Sequence, residues 1–282
     1  MKGFTSFREP IEADKVRGKP ERFAEHYAQA TLFWNSQTPA EKMHSQAAFR
    51  FELSRVQVPA VRERMVASLA NVDATLAEEL ASDLGIAVPE PLPRAAPNGR
   101  APEVTSSPAL SLLHRPRDGS IRTRRVAILI GDGVDDSAAV ALHAGLQGYG
   151  AVPRYVGVRL GAAEGQSGTT IEVEATLETT PSVLYDAVAL PGGEEAMKLL
   201  ATIGHAAEFI KDQYRHCKPI LALGAGGALV ENAGVPRTLP SGDADPGLLL
   251  LDGGDPEAAL TQFVKAIAKH RHFERDYDPP EV

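Results

Sequence analysis

The chain has 282 residues, 43% of them hydrophobic and 23% charged, which are the proportions of a water-soluble globular protein long enough for one or two cored domains. A net charge of −8 disfavours non-specific binding to nucleic acid, and no run of about 18 apolar residues is present to span a membrane. The single cysteine, Cys217, excludes an internal disulfide framework and fits a reducing compartment; with no apolar stretch near the N-terminus to act as a signal peptide, the expectation is a cytoplasmic location.

Residues from about 20 to 85 read as helical. Residues 21 to 30 carry Phe23 and Tyr27 four apart. Thr38-Pro39-Ala40-Glu41 has the form of a helix start, with Thr38 as N-cap, Pro39 in the first turn and Glu41 completing a capping box. The spacing then predicts a helix with an apolar stripe of Met43, Ala47, Phe51 and Ser54. Pro59 opens another, with Val61, Met65, Leu69 and Val72 on one side, and residues 75 to 84 predict a third, stopped at Gly85. Residues 86–122 are punctured by Pro89, Pro91, Pro93, Pro97, Pro102, Pro108 and Pro116. They read as an extended, partly ordered linker, with Leu110, Leu112 and Leu113 placed to pin it onto a domain surface.

From 123 to 282 strand and helix alternate, which predicts an α/β fold with a doubly wound parallel sheet. The apolar runs at 126–130, 152–158, 187–190, 220–223 and 248–251 are its core strands. Residues 171–177 alternate with period two and predict an edge strand or hairpin. Helices are expected over 135–148, from the 191–193 turn to 214, after the turn at 224, and over 256–270.

Ligands of such sheets bind outside the carboxyl ends of the strands, so three turns matter. Ile130-Gly131-Asp132-Gly133-Val134-Asp135-Asp136 lacks the third glycine of a dinucleotide fingerprint and puts acid where a phosphate would sit, so it reads as a plain turn with aspartate caps. Pro191-Gly192-Gly193 either presents backbone amides to an anion or is a tight turn needing glycine. Leu223-Gly224-Ala225-Gly226 has the shape of a nucleophile elbow, but Gly224 stands at the apex and has no atom with which to attack. Gly192, Gly193, Gly224, Ala225 and Gly226 are thus candidate anion-binding residues, with no catalytic residue and no metal site.

Other candidates read as structural. Cys217 has basic neighbours able to lower its pKa, yet is expected to be an inert, partly exposed thiol. His270 and His272 are expected to be a surface pair rather than metal ligands, and His143 a packed or solvated helix residue. Glu194 and Glu195 fit a helix first turn, and Trp34, Phe33 and Tyr27 a packing cluster.

The strand at 126–130, the run Tyr185-Asp186-Ala187-Val188-Ala189-Leu190-Pro191-Gly192-Gly193 and the elbow Lys218-Pro219-Ile220-Leu221-Ala222-Leu223-Gly224-Ala225-Gly226 resemble the class I glutamine-amidotransferase-like superfamily, in its PfpI-like protease, glyoxalase and chaperone branch. Active members carry cysteine where this chain has Gly224, a glutamate near the position of Ala138, and a histidine after the elbow helix, where residues 236–247 contain none. The resemblance therefore implies the flavodoxin-like fold without the hydrolase or glyoxalase chemistry.

A second resemblance covers nearly the whole chain. Lys15-Val16-Arg17-Gly18-Lys19-Pro20-Glu21-Arg22-Phe23, Leu32-Phe33-Trp34-Asn35-Ser36-Gln37-Thr38-Pro39, Phe49-Arg50-Phe51-Glu52-Leu53-Ser54 and Asn71-Val72-Asp73 resemble the helices that close the core of large-subunit haem catalases. In that family a linker and an added flavodoxin-like domain with a degenerate elbow follow. The resemblance implies three parts: closing helices (1–85), linker (86–122) and added domain (123–282). The parent would use haem to decompose hydrogen peroxide, while this piece would hold no haem, since none of its six tyrosines sits in a motif like the proximal ligand's. It would be non-catalytic and support stability and assembly of the tetramer. Its partners would be the rest of the catalase chain, its tetramer mates and, in a chaperone-like role, unfolded client proteins, but neither nucleic acid nor membrane. The alternatives are a stand-alone PfpI-like hydrolase or glyoxalase with Cys217 as a relocated nucleophile, or a small-anion-binding module.

Overall fold

In the computed structural model, residues 3, 5–15, 17–18, 21–96, 103–114, 118–252 and 256–282 are described. Expectations that fall on Val16, Lys19, Pro20, Pro97, Pro102 and Pro116 lie outside them. The chain divides into two compact units, Met1–Arg115 and Pro116–Val282.

The first unit is helical: a 3-10 turn Glu21–Ala24, then α1 (Ala28–Ser36), α2 (Pro39–Ser54), α3 (Pro59–Leu69) and α4 (Ala74–Asp83). The predicted helix over 21 to 30 is therefore broken. The Glu25 carboxylate takes the amides of Tyr27 and Ala28, at 2.9 and 3.1 Å, and caps a new start. The capping box at Thr38 and Glu41 is present as expected. The stop after α4 is a Schellman turn, in which the Ile86 amide donates to Ala81 O and that of Gly85 to Ser82 O.

The apolar faces differ from expectation. The core consists of Trp34, Leu53, Val66, Leu76, Ala77, Leu80 and Ala81. On α2 the buried positions are Ala40 and Leu53, while Phe51 of the predicted stripe is 62% exposed. On α3 Val66 and Ala67 are buried; of the predicted side, Leu69 and Val72 pack against the core while Val61 and Met65 face outward. Of the aromatic cluster only Trp34 is buried; Phe33 is exposed, and Tyr27 lies under the Arg94 guanidinium, 5.5 Å from its ring centre. Period alone fixes that a helix has an apolar side, and here α4, the most regularly amphipathic of the four, selects which side of its neighbours it covers.

The proline-rich segment is held by polar bonds, not leucines. Leu110 and Leu112 are exposed. The Glu41 carboxylate instead accepts from the Ser111 hydroxyl at 2.8 Å and the amides of Leu112 and Leu113 at 2.8 and 3.3 Å. Upstream, the Leu92 amide donates to Ala67 O, and Asn71 bridges Leu92 O and Arg94.

The second unit is a six-stranded sheet, every pairing parallel, in the order β5-β2-β1-β6-β7-β8. Its strands are β1 (Arg125–Leu129), β2 (Val152–Gly157), β5 (Ala175–Thr176), β6 (Ala187–Leu190), β7 (Ile220–Leu223) and β8 (Leu248–Leu251). Between β2 and β5, β3 (Gly161–Glu164) and β4 (Thr170–Val173) pair only with each other, antiparallel. The period-two segment thus splits into both of its predicted forms, hairpin arm and edge strand. Helices α5 (Asp136–Gly148) and α9 (Pro256–Lys269) pack together. So do α6 (Glu194–Ala201), α7 (Gly204–Arg215) and α8 (Gly226–Asn232), and the two groups cover the two faces of the sheet. That double cover is why β1 and β6 are apolar throughout their buried lengths rather than alternating.

The short α10 (Glu274–Tyr277) closes the unit through a buried ion pair. Arg275 donates from Nε to Asp245 at 2.6 Å and from Nη1 to the carbonyls of Lys218 and Tyr214 at 2.8 and 3.2 Å, and its guanidinium lies 4.2 Å from the Tyr214 ring centre.

Candidate functional site

In an open parallel sheet the ligand crevice forms at the carboxyl ends of two adjacent strands whose following connections leave to opposite sides. Here β1 leads through α5 to β2 on one side, and β6 leads through α6 and α7 to β7 on the other. The crevice position is therefore between β1 and β6, and the loops after β1, β6 and β7 meet there.

They meet backbone to backbone. The Asp135 amide donates to Gly192 O at 3.2 Å. Gly193 has φ +91°, and a Cβ built on it falls 2.3 Å from Gly133 O and 2.5 Å from Asp135 N. A Cβ on Gly192 falls 2.8 Å from Leu223 O. All three distances are too short for any side chain, so these glycines serve the close approach of one loop to the next.

Gly224 differs. It is exposed, sits at φ +49°, and a Cβ on it meets nothing within 4 Å. The apex keeps the strained backbone of an elbow and the open space a nucleophile needs, without the nucleophile. Its amide is committed to Leu251 O at 2.8 Å, and its carbonyl accepts from Gly227 at 3.2 Å. Ala225 caps α8 with no side-chain bond, and Gly226 is pressed against Leu190. Beside this, Glu194 and Glu195 stand exposed in the first turn of α6, paired with Lys198 at 2.8 and 3.4 Å, and their charge opposes an anion there. Ala138 is buried in the first turn of α5, its amide capped by Asp135 at 3.0 Å.

The weaker candidates settle as follows. Cys217 is buried rather than partly exposed, and burial, with Asp276 adding to it, pushes its thiol up to about 12. The basic neighbours do not activate it, because removal from water outweighs them. His270 and His272 are not a surface pair: His272 is 1% exposed with Nε2 3.2 Å from Ala266 O, and His270 lies 3.5 Å from the Asp186 carboxylate. His143 stacks on Tyr155 at 4.6 Å. Among the described residues no group of three or more His, Cys, Asp or Glu is placed to hold a metal, and no helix is long and apolar enough to cross a membrane.

Two features escaped the sequence. Lys218 is buried with Nζ 3.0 Å from Ser182 O, and burial lowers its ammonium to about 8. Asp136, which reads as a cap, is buried and takes its hydrogen bonds from residues 31 and 33 positions away. Neither is visible in local spacing, since their partners arrive through the tertiary fold.

The family model described as the C-terminal domain found in long catalases matches residues 122–276, and one described as catalase-related immune-responsive matches 20–84. Catalase HPII of Pseudomonas aeruginosa is 34% identical over 275 residues, covering 97% of this chain and 36% of that protein. Catalase C of Rhizobium meliloti is 37% identical over 266 residues, covering 94% and 37%. Catalase-2 of Bacillus subtilis is 35% identical over 276 residues, covering 97% and 37%. The chain thus spans a little over a third of the length of these relatives. With more than half of its residues matched by one family model, and a second model matching the helices ahead of it, the chain belongs to the family of large-subunit, or long, catalases through their C-terminal domain.

Proposed function

We propose that the chain is the non-catalytic C-terminal region of a long haem catalase, serving the stability and assembly of a protein whose peroxide chemistry lies elsewhere in its sequence. Its parts are the closing helices (1–85), the linker (86–122) and a flavodoxin-like domain (123–282). The observation that carries the reading is the site itself: an exposed apex with no reactive atom at Gly224, beside a crevice filled by Gly192 and Gly193 against the chain. Its companion is the set of exposed apolar side chains in the helical unit, Phe23, Phe33, Phe51 and Val58, which suit burial against the remainder of the catalase chain or its tetramer mates. In the isolated piece the same side chains would capture unfolded chains, which is how a chaperone-like property would arise.

The environments of the buried Tyr185 and Tyr214 and the half-buried Tyr155 support the reading that this piece holds no haem. An iron-bound tyrosine must ionise, yet burial pushes Tyr155 and Tyr214 up to about 12. Their rings are covered by His143 and Arg275, and Tyr185 packs on Phe209 under Arg125. The hydrolase alternative needs Cys217 as a thiolate, which its burial opposes. The anion-binding alternative must work around a Gly224 amide already bonded and two acidic neighbours.

The test is peroxide decomposition together with a Soret-band scan, on this chain and on a full-length long catalase containing it. The expected result is both signals in the long protein and neither here. Oxygen release with a Soret band from this chain alone would overturn the reading.

A further inference from the structure

The β3–β4 hairpin stands outside the main sheet, and two-stranded hairpins are marginally stable alone. Its two strands are seated by packing: Ala163, Ile171 and Val173 are buried, and Val173 lies against Gly157. Its tip, residues 164–169, is polar and small, with no apolar side chain to seat it. Two sets of bonds hold it. One is to the loop after β1: the Gly133 amide donates to Glu164 O at 2.7 Å, the Gln166 amide to Val134 O at 2.9 Å, and the Glu164 amide to Asp132 at 3.0 Å. The other converges on a single side chain. The Asp136 carboxylate, at the first residue of α5, accepts from the Ser167 hydroxyl and from the amides of Ser167 and Thr169, both at 3.1 Å. Gly165 is there because a Cβ would fall 2.3 Å from that of Asp136. These bonds, that of the Ser167 hydroxyl foremost, hold the Asp136 carboxyl well below the usual carboxylate range.

The loop the tip grips is the same one that presses Gly133 and Asp135 onto Gly193 and fills the crevice. We propose that the hairpin is a strap across the carboxyl end of β1, that Asp136 is its latch, and that the latch holds the 131–135 loop in the position that closes the crevice between β1 and β6. The device rests on this geometry alone and stands whether or not the catalase reading does.

The discriminating amides are those of Gly133 and Gln166. Both are bonded across the strap, and neither is bonded to Asp136. In Asp136→Asn, which keeps the shape and removes the charge, their hydrogen exchange should rise at least tenfold, while Val173 at the hairpin base and Ala189 and Leu221 in the sheet keep their wild-type rates. Ser167→Ala, which removes one donor and leaves the core untouched, should give the same pattern at about threefold, and it decides the matter if Asp136→Asn does not fold. Exchange that rises only at Ser167 and Thr169, or that rises evenly through the sheet, would sink the latch, because Asp136 would then be an ordinary cap or an ordinary core residue.

Discussion

The two units solve the same problem with different means. In the second, strands covered on both faces build one continuous core around Ile128, Leu190, Leu142 and Phe263, and even the buried Arg275 finds an internal partner. In the first, a small cluster around Trp34 and Leu80 is the core among the described residues, and the phenylalanines Phe23, Phe33 and Phe51 stand on the surface. The lesson is that ordered helices and a self-sufficient domain are separate properties. The first unit is shaped by capping and by carboxylate bonds, and leaves unburied the apolar area that would otherwise secure it.

The sharpest way to break that comparison is to attack the buried ion pair. Removing one partner strands the other charge, so Arg275→Ala should cost the second unit about 3–5 kcal/mol. Urea unfolding followed by circular dichroism measures the loss. The fluorescence of Trp34, the chain's single tryptophan and a core residue of the first unit, should keep its own midpoint. A double replacement of Arg275 and Asp245 should cost less than the two single changes added together.

A smaller effect is expected at Glu41, where the first unit depends on polar bonds. Glu41→Gln should cost about 1–3 kcal/mol and raise hydrogen exchange at Leu112 and Leu113. Burial acts to raise this carboxyl, but hydrogen bonds from Thr38, Ser111 and Leu113 outweigh it and lower it from 4.5 to about 2. A depressed acid stabilises the fold fully above its unfolded pKa. The contribution should therefore be intact above about pH 4.5 and disappear as pH falls towards 2, and the variant should lose that slope. An identical acid titration of Trp34 fluorescence in both proteins would show that the bonds do not matter.

The smallest effect is at Cys217. A buried thiol held up at about 12 should react with a disulfide reagent at least a hundredfold more slowly in the folded chain than in urea, and Cys217→Ala should leave unfolding within about 1 kcal/mol of the parent. Rapid labelling of the folded chain would place the thiol at the surface after all.

What the sequence makes legible follows from range. The capping box at Thr38, the stop at Gly85 and the five core strands are all specified within a few residues, and all are found where spacing puts them. Which side of α2 is buried depends on α4, some thirty residues on, so Phe51 and Ser54 of the predicted stripe face outward while Met43 and Ala47 are half-buried. The site divides the same way. That Gly224 bears no nucleophile is plain from its identity, but that Gly192 and Gly193 are filled by Gly133, Asp135 and Leu223 needs three loops brought together. Asp136 and Arg275 looked unremarkable because their partners lie 31 and 30 positions away.

The open apex at Gly224 has one more consequence. A solvent-facing position with positive φ and no neighbour within 4 Å can take a cysteine at a backbone cost of about 1–2 kcal/mol, and with Cys217 buried that thiol would be the chain's single addressable one. Gly224 thus becomes a handle, a point for attaching one spin label or fluorophore at the rim of the sheet, whose local mobility reports on the loops around it.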